Sequence, residues 1–123
     1  MIINELKVNS GIVVDIGRFK ILRNDQRLYD IPVLSFVIIK KSEVSYICMC
    51  IQLHIAGHGN TCDSAKKEMF ENVVGLLGSD SKFEESLFID SATTDRLWDA
   101  YYAIQLYRTE NGQKSDPDID LIY

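Results

Sequence analysis

Apolar residues occupy nearly every position from Val33 to Ile39 and again from Val44 to Leu53, with the polar run Lys40, Lys41, Ser42 and Glu43 between them. This pattern predicts two strands paired antiparallel through a short turn. The continuity of the first run predicts a strand covered on both faces. Pro32 suits the start of that strand, where a missing N–H costs little. Along the second run Ile47, Met49, Ile51 and Leu53 point one way and Tyr46, Cys48, Cys50 and Gln52 the other. The first row is the better candidate for the face under a helix.

His54 to His58 reads as a short third strand or extended turn, with Gly57 and Gly59 supplying freedom for positive φ before a helix. Thr61 is placed to cap that helix, and Asp63 adds negative charge at its positive end. Ala65, Met69, Val73, Leu76 and Leu77 form the apolar stripe, Lys66, Lys67, Glu71 and Asn72 face water, and Gly78 is a natural stop.

Upstream, Ile2 to Asp30 reads as a hairpin-like lead-in. Asn9, Ser10 and Gly11 form its turn, Ile12 to Ile16 a β-branched run, and Gly17 an interruption before Phe19 and Ile21 alternate with Arg18 and Lys20. Downstream of a polar loop over Ser79 to Glu85, Ser86 to Asp90 reads as a strand reached by a helical crossover, hence parallel to one already in the sheet. Thr93 or Thr94 is placed to cap a second helix carrying Leu97, Trp98, Tyr101, Ile104 and Gln105 on one side. From Thr109 the tail is acidic, with Glu110, Asp116, Asp118 and Asp120 against Lys114. It is expected to be mobile unless Ile119, Leu121 and Ile122 dock.

A length of 123 residues with 46% hydrophobic and 25% charged positions indicates one globular domain able to bury a core without metal or disulfides. The three cysteines are an odd number, and Cys48 and Cys50 alternate on one apolar strand, so free thiols are expected. The first residues lack a basic start followed by a long apolar run, and no apolar stretch approaches a membrane span, so a cytoplasmic protein is expected. The net charge of −5 argues against general nucleic-acid affinity and suits a basic partner.

His54, His58 and Cys62 stand four apart, the sharpest metal-ligand spacing in the chain, but they straddle a strand, a turn and a helix start and do not share one helix face. No metal or other cofactor is expected. The GHGNT turn lacks the lysine and glycine spacing of a phosphate loop. No hydroxyl or thiol nucleophile has a motif around it, so no catalytic residue is assigned. Asp63, Glu84, Glu85, Asp90, Asp95 and Asp99 would serve a metal-dependent hydrolase only if they converged in space. Arg18, Lys20, Arg23 and Arg27 form a modest basic patch, read as a solvated strand face and loop, with a phosphate or acidic-partner site as the alternative. Trp98, Tyr101 and Tyr102 are the candidate partner interface, since Trp and Tyr are enriched at interfaces; packing of that helix on the sheet is the competing reading.

The residues from Ser45 to Leu77 resemble the HicB-like antitoxin domain of toxin–antitoxin systems. The resemblance is carried by Tyr46 and Ile47 on a strand, Gly57, the Gly59-Asn60-Thr61 step, and Asp63 and Ala65 in the first helical turn, with Ile38 and Ile39 on the preceding strand. Gly57, Gly59, Thr61 and Ala65 are the fold motif. The sequence departs from the family at Asn60, where Asp is commoner, and at Cys62 and Ser64. The resemblance implies an α+β fold with a truncated ribonuclease-H-like sheet: three antiparallel strands, a helix, and a fourth strand parallel to the first. An extra N-terminal hairpin (1–31) precedes the HicB-like core (33–90), and a C-terminal helix (91–108) and acidic tail (109–123) follow it. It further implies a non-enzymatic, homo-oligomeric antitoxin, or an orphan relative, that binds and masks a small basic HicA-type toxin ribonuclease. The single aromatic helix carries little basic charge and no added DNA-binding segment is visible, so operator binding is not expected. A metal-dependent ribonuclease-H-like hydrolase and an oligomeric structural scaffold are the alternatives.

Overall fold

The computed structural model describes residues 7–8, 11–22, 33–77, 91–113 and 118–122. Its apolar runs form a mixed six-stranded sheet with a helix on each face. In chain order the elements are β1 (Lys7–Val8), β2 (Gly11–Leu22), β3 (Val33–Ser42), β4 (Ser45–Cys50), β5 (Ile55–Gly59), α1 (Cys62–Leu77), α2 (Ser91–Glu110) and β6 (Ile119–Ile122). Strands β1 to β5 form an antiparallel meander in sequence order, and β6 joins β2 in parallel. The architecture is α+β.

The N-terminal hairpin pairs Val8 with Gly11 and Lys7 with Ile12. Gly17 does not interrupt the following strand, because β2 runs unbroken to Leu22. The irregularity falls instead at Val14, where Val13 faces Ile39 but Asp15 faces Ile38. This bulge puts Val13 and Ile16, three residues apart, in one apolar cluster. At Gly17 a Cβ would clash with the Cζ end of the Phe36 ring, so the missing side chain lets that ring lie against the strand.

Burial on both sides of β3 holds from Leu34 to Ile39. Alternate residues divide between two cores. Leu34, Phe36 and Ile38 join Phe19, Ile21, Cys48 and Cys50 beneath Ala65, Met69 and Val73 of α1. Val37 and Ile39 join Val13, Ile16 and Ile51 beneath Leu97, Ala100, Tyr101 and Ile104 of α2. The expected orientation of β4 is therefore reversed. The row of Tyr46, Cys48 and Cys50 lies under α1, and Met49 and Ile51 pack on the α2 side. The strand also ends at Cys50, and residues 51–54 form a turn tied to β3, where Ile51 N–H donates to Ser35 O and Ser35 N–H to Gln52 Oε1, both at 2.9 Å. The polar turn before it narrows to Glu43 and Val44, because β3 extends through Ser42.

Gly57 and Gly59 lie on β5 and not in a turn, and neither has positive φ; among the described residues that conformation belongs to His54 and Gly112. Their role is close approach. A Cβ at Gly57 would strike the backbone of Ala65, Glu68 and Met69, and one at Gly59 would strike Ser64 and Ala65. The helix thus seats on the strand backbone itself. Thr61 caps it as expected: its hydroxyl accepts from Ser64 N–H at 3.1 Å while Ser64 Oγ accepts from Thr61 N–H at 3.0 Å, a reciprocal box with serine in the usual Glu position.

Strand β5 is the sheet edge, and α1 also occupies its outward backbone groups. Glu68 Oε2 accepts from His58 N–H at 2.7 Å, and Asn72 Nδ2 donates to Ala56 O at 2.8 Å. One helical turn separates the two side chains, the same interval that two residues of extended strand cover.

Helix α2 begins at Ser91, so Thr93 and Thr94, the expected caps, lie two and three residues inside it; it ends in a Schellman motif, with Gln113 N–H donating to Arg108 O and Gly112 N–H to Thr109 O around Gly112 at φ 70°. The tail then docks. Ile119 to Ile122 pair with Phe19 to Leu22, Ile119 and Leu121 pack on the α1-side core, and Asp118 forms an ion pair of 3.0 Å with Arg18. The stop at Gly78, the strand over Ser86 to Asp90 and the role of Pro32 lie outside the described residues. The parallel strand in the described chain is β6.

Candidate protein-binding face

From Ser91 to Glu110 there is neither Gly nor Pro, and Ala, Leu, Arg and Gln supply helix-favouring positions. Leu97, Ala100, Tyr101 and Ile104 recur at intervals of three, one and three and are all buried against the sheet. That spacing fixes the opposite side. Asp95, Asp99, Tyr102, Leu106 and Glu110 lie within about a third of the helix circumference, from the 100° advance per residue, and all are exposed. Tyr102 and Leu106 are each 58% accessible.

The aromatic residues at this face are ordered by one another. Trp98 packs against the α2-side core and stacks on Tyr102, with centroids 5.5 Å apart and planes at 20°. Tyr101 meets both rings edge-on, at 82° and 85°. Of the three candidate interface residues, Tyr101 is 5% exposed and belongs to the core, Trp98 is half-buried, and Tyr102 presents its ring to solvent. Offset and edge-on contacts of this kind favour one arrangement of the rings and reduce the ordering needed on binding.

Charge on the outer face is one-sided. Asp95, Asp99 and Glu110 surround Tyr102 and Leu106, while the nearest basic residue on the same helix, Arg96, stands about 90° away around the axis, again from 100° per residue. Arg108 is engaged elsewhere: its guanidinium donates to Asp15 Oδ1 at 2.6 Å, and the same carboxylate oxygen accepts Ile16 N–H at 2.8 Å at the β2 bulge.

The other candidate groups do not assemble. His58 is exposed on β5, Cys62 is half-buried at the start of α1, and His54 Nε2 lies 3.3 Å from the Thr94 hydroxyl across the molecule. Among the described residues no cluster of three metal-ligating side chains exists. The cysteines are free, and burial pushes the thiols of Cys48 and Cys50 up, that of Cys50 to about 11, which keeps both protonated and poorly nucleophilic. Burial also raises the Cys62 thiol, with Asp15 and Asp63 adding to the effect. Asp63 on α1 and Asp95 and Asp99 on α2 stand on opposite sides of the sheet; Glu84, Glu85 and Asp90 lie outside the described residues. Of the basic patch, Arg18 is paired with Asp118 and Lys20 is half-buried, and Arg23 and Arg27 lie outside the described residues.

A shallow groove of about 600 Å³ runs along the flank of α1, with Phe70, Val74 and Leu121 between Lys66, Lys67, Asp63 and Glu71. Its two cations are balanced by two anions, so charge selects no ligand class. Leu106 had no role in the sequence expectations, and Asp95, Asp99 and Glu110 entered them only as possible hydrolase carboxylates or as part of an acidic tail, not as the rim of this face. Their signal was the complement of the buried stripe, visible once the helix is turned through half a revolution.

Comparison with protein-family models, curated proteins and solved structures gives no match to this chain. Among the described residues no helix is long and apolar enough to cross a membrane.

Proposed function

We propose that this chain is a non-enzymatic protein-binding module of the HicB-like type, which binds and masks a small basic toxin ribonuclease. The observation that carries the reading is the outer face of α2, where Tyr102 and Leu106 stand in solvent among three carboxylates. Exposed aromatic and aliphatic anchors with a polar rim are the chemistry of a protein interface, and the acidic rim favours a cationic target. Net charge of −5 acts in the same direction at longer range. In this reading the meander with α1 seated on Gly57 and Gly59 is the truncated ribonuclease-H-like core, and β6 supplies the strand parallel to the first long strand.

The proposed homo-oligomer uses a different surface. Two copies of α2 packed antiparallel about the middle of the face would set Asp95 of each against Glu110 of the other, and like charges in contact oppose association. Co-expression with a HicA-type small basic toxin, drawn from any such reading frame found next to the one for this chain, is expected to give a stable complex without ribonuclease activity. Separate elution of the two, with ribonuclease activity undiminished by excess of this chain, would overturn the toxin assignment.

A further inference from the structure

We infer that the outer face of α2 recognises arginine: Tyr102 is the platform for a partner's guanidinium, Asp95 and Asp99 are its carboxylate acceptors, and Leu106 takes an adjoining apolar side chain. This deepens the protein-binding reading and rests on it for the existence of a basic protein partner.

A guanidinium differs from an ammonium in being flat, weakly hydrated and able to donate in a fork. The face offers a counterpart to each property. Tyr102 supplies an aromatic plane that is already held, since Trp98 stacks against it and Tyr101 abuts it. A cation over such a ring is attracted by the electron-rich face, and a guanidinium adds stacking. Asp99 lies three residues before Tyr102, and Asp95 a further turn back, so both carboxylates stand N-terminal to Tyr102 along the same exposed helix surface. Among the described residues neither forms an ion pair or hydrogen bond, and Arg108, the cation about one and two-thirds turns beyond Tyr102, is held by Asp15 on β2. Leu106, one turn along, extends the apolar surface that the aliphatic stem of an arginine or a neighbouring leucine would cover.

The geometry also disfavours other occupants. An anionic membrane or nucleic acid would meet three carboxylates, and a second copy of this chain would meet its own acids.

Trp98 is the single tryptophan of the chain and stacks on Tyr102, so its fluorescence reads the site directly. The full chain is titrated with three short leucine-containing peptides that differ only in carrying arginine, lysine or glutamate. The arginine peptide is expected to shift Trp98 emission and bind several-fold more tightly than the lysine peptide, with the glutamate peptide not binding. Tyr102→Ala is expected to weaken the arginine peptide by about two- to fivefold, the fold-change of one exposed cation–π contact, whereas Tyr102→Phe keeps the affinity. Asp95→Asn with Asp99→Asn is expected to abolish the preference for arginine over lysine and flatten the salt dependence. Tyr102 is exposed, and circular dichroism confirms that each variant is folded. Equal binding of arginine and lysine peptides, indifference to Tyr102→Ala, or no binding of the arginine peptide would each overturn the inference. Peptide binding with no toxin complex would overturn the proposed function alone; a toxin complex unaffected by Tyr102→Ala and Asp99→Asn would overturn this inference alone.

Discussion

Replacing glycine by alanine at Gly57 and at Gly75 adds one methyl group in each case and is expected to move stability in opposite directions. At Gly57 the new Cβ would stand 2.6 Å from Ala65 O and 2.7 Å from the Glu68 carbonyl carbon, with Met69 N closer still, where ordinary contact is 3.4 to 4 Å. These are backbone atoms on one side and a paired strand on the other, so no rotamer relieves the clash. The helix must retreat by roughly 1 Å, a gap that forfeits a quarter to a half of each dispersion contact it opens. Ala65, Met69 and Val73 all lose contact with the sheet, and the bonds from Glu68 to His58 and from Asn72 to Ala56 lengthen. Overpacking of a tight site costs about 1–3 kcal/mol, and stretching two partly exposed hydrogen bonds adds about 1 kcal/mol. The reduced entropy of the unfolded chain returns about 0.5–1 kcal/mol, leaving a net loss of about 2–3 kcal/mol and a fall of about 10 °C in Tm. At Gly75 nothing lies within 4 Å of the added carbon, and the residue is exposed within α1. There the same exchange is expected to stabilise by about 0.5–1 kcal/mol. Urea denaturation of both variants, with the slope m compared to confirm an unchanged unfolded state, measures the pair. If Gly57→Ala lies within about 0.5 kcal/mol of the parent, or both variants shift the same way, close seating of α1 on β5 is not what those glycines provide.

Three further outcomes follow from contacts already described. The thiol of Cys50 is raised from 9.0 to about 11, so between these values the unfolded chain has released a proton that the native chain retains; stability is full below pH 9, falls as pH rises through the window, and Cys50→Ala is expected to reduce that slope in pH-dependent denaturation. Arg108 and Asp15 are expected to couple by about 1 kcal/mol in a double-mutant cycle, because the pair is partly screened by solvent but its carboxylate also holds the bulge; strict additivity of the two alanine variants would show that the bulge is stable without it. Removing Glu68 and Asn72 together as Glu68→Ala and Asn72→Ala is expected to cost about 1–2 kcal/mol and to increase concentration-dependent aggregation in light scattering, since both open β5 to pairing with another strand. A monodisperse double variant would show that the edge is protected by other means.

The sequence made the meander and α1 legible because their signals are local: continuous apolarity at Val33 to Ile39, a threonine followed by a helical stripe at Thr61 to Val73. It misled on which row of β4 lies beneath α1. Both rows are covered, so the greater apolarity of Ile47, Met49 and Ile51 identified a buried face without saying which helix covers it. The bulge at Val14 has no composition signal, whereas Gly17 has a strong one; the glycine served a neighbouring ring, and the break fell elsewhere. Gly57 and Gly59 were noticed for the right reason of lacking a side chain and assigned the wrong use, since a glycine needed for positive φ and one needed for close approach are the same letter. Docking of the tail was signalled by Ile119 and Leu121 alternating with Asp118 and Asp120, but its partner stands far away in the chain, which no local pattern reports. On α2 the candidate aromatic residues were legible, and their division into core and surface needed the position of the helix axis.

The pairing of β2 with β6 has a consequence for the order in which the molecule is assembled. Each strand of the meander finds its partner within a few tens of residues, and α1 packs on the strands that immediately precede it, so these contacts close short loops. Phe19 and Ile119 are 100 residues apart, by subtraction of their numbers, and must close a far longer one. Loop entropy grows slowly with length, but distant pairings gain nothing until both ends are in place, so β6 is expected to join last, onto a meander already formed. Until it does, the outer edge of β2 at Phe19 to Leu22 is without its partner, and a nascent or refolding chain passes through a state with that edge open to strands of other molecules. Refolding yield is therefore limited at the β2 edge, the side of the sheet opposite the one that α1 seals.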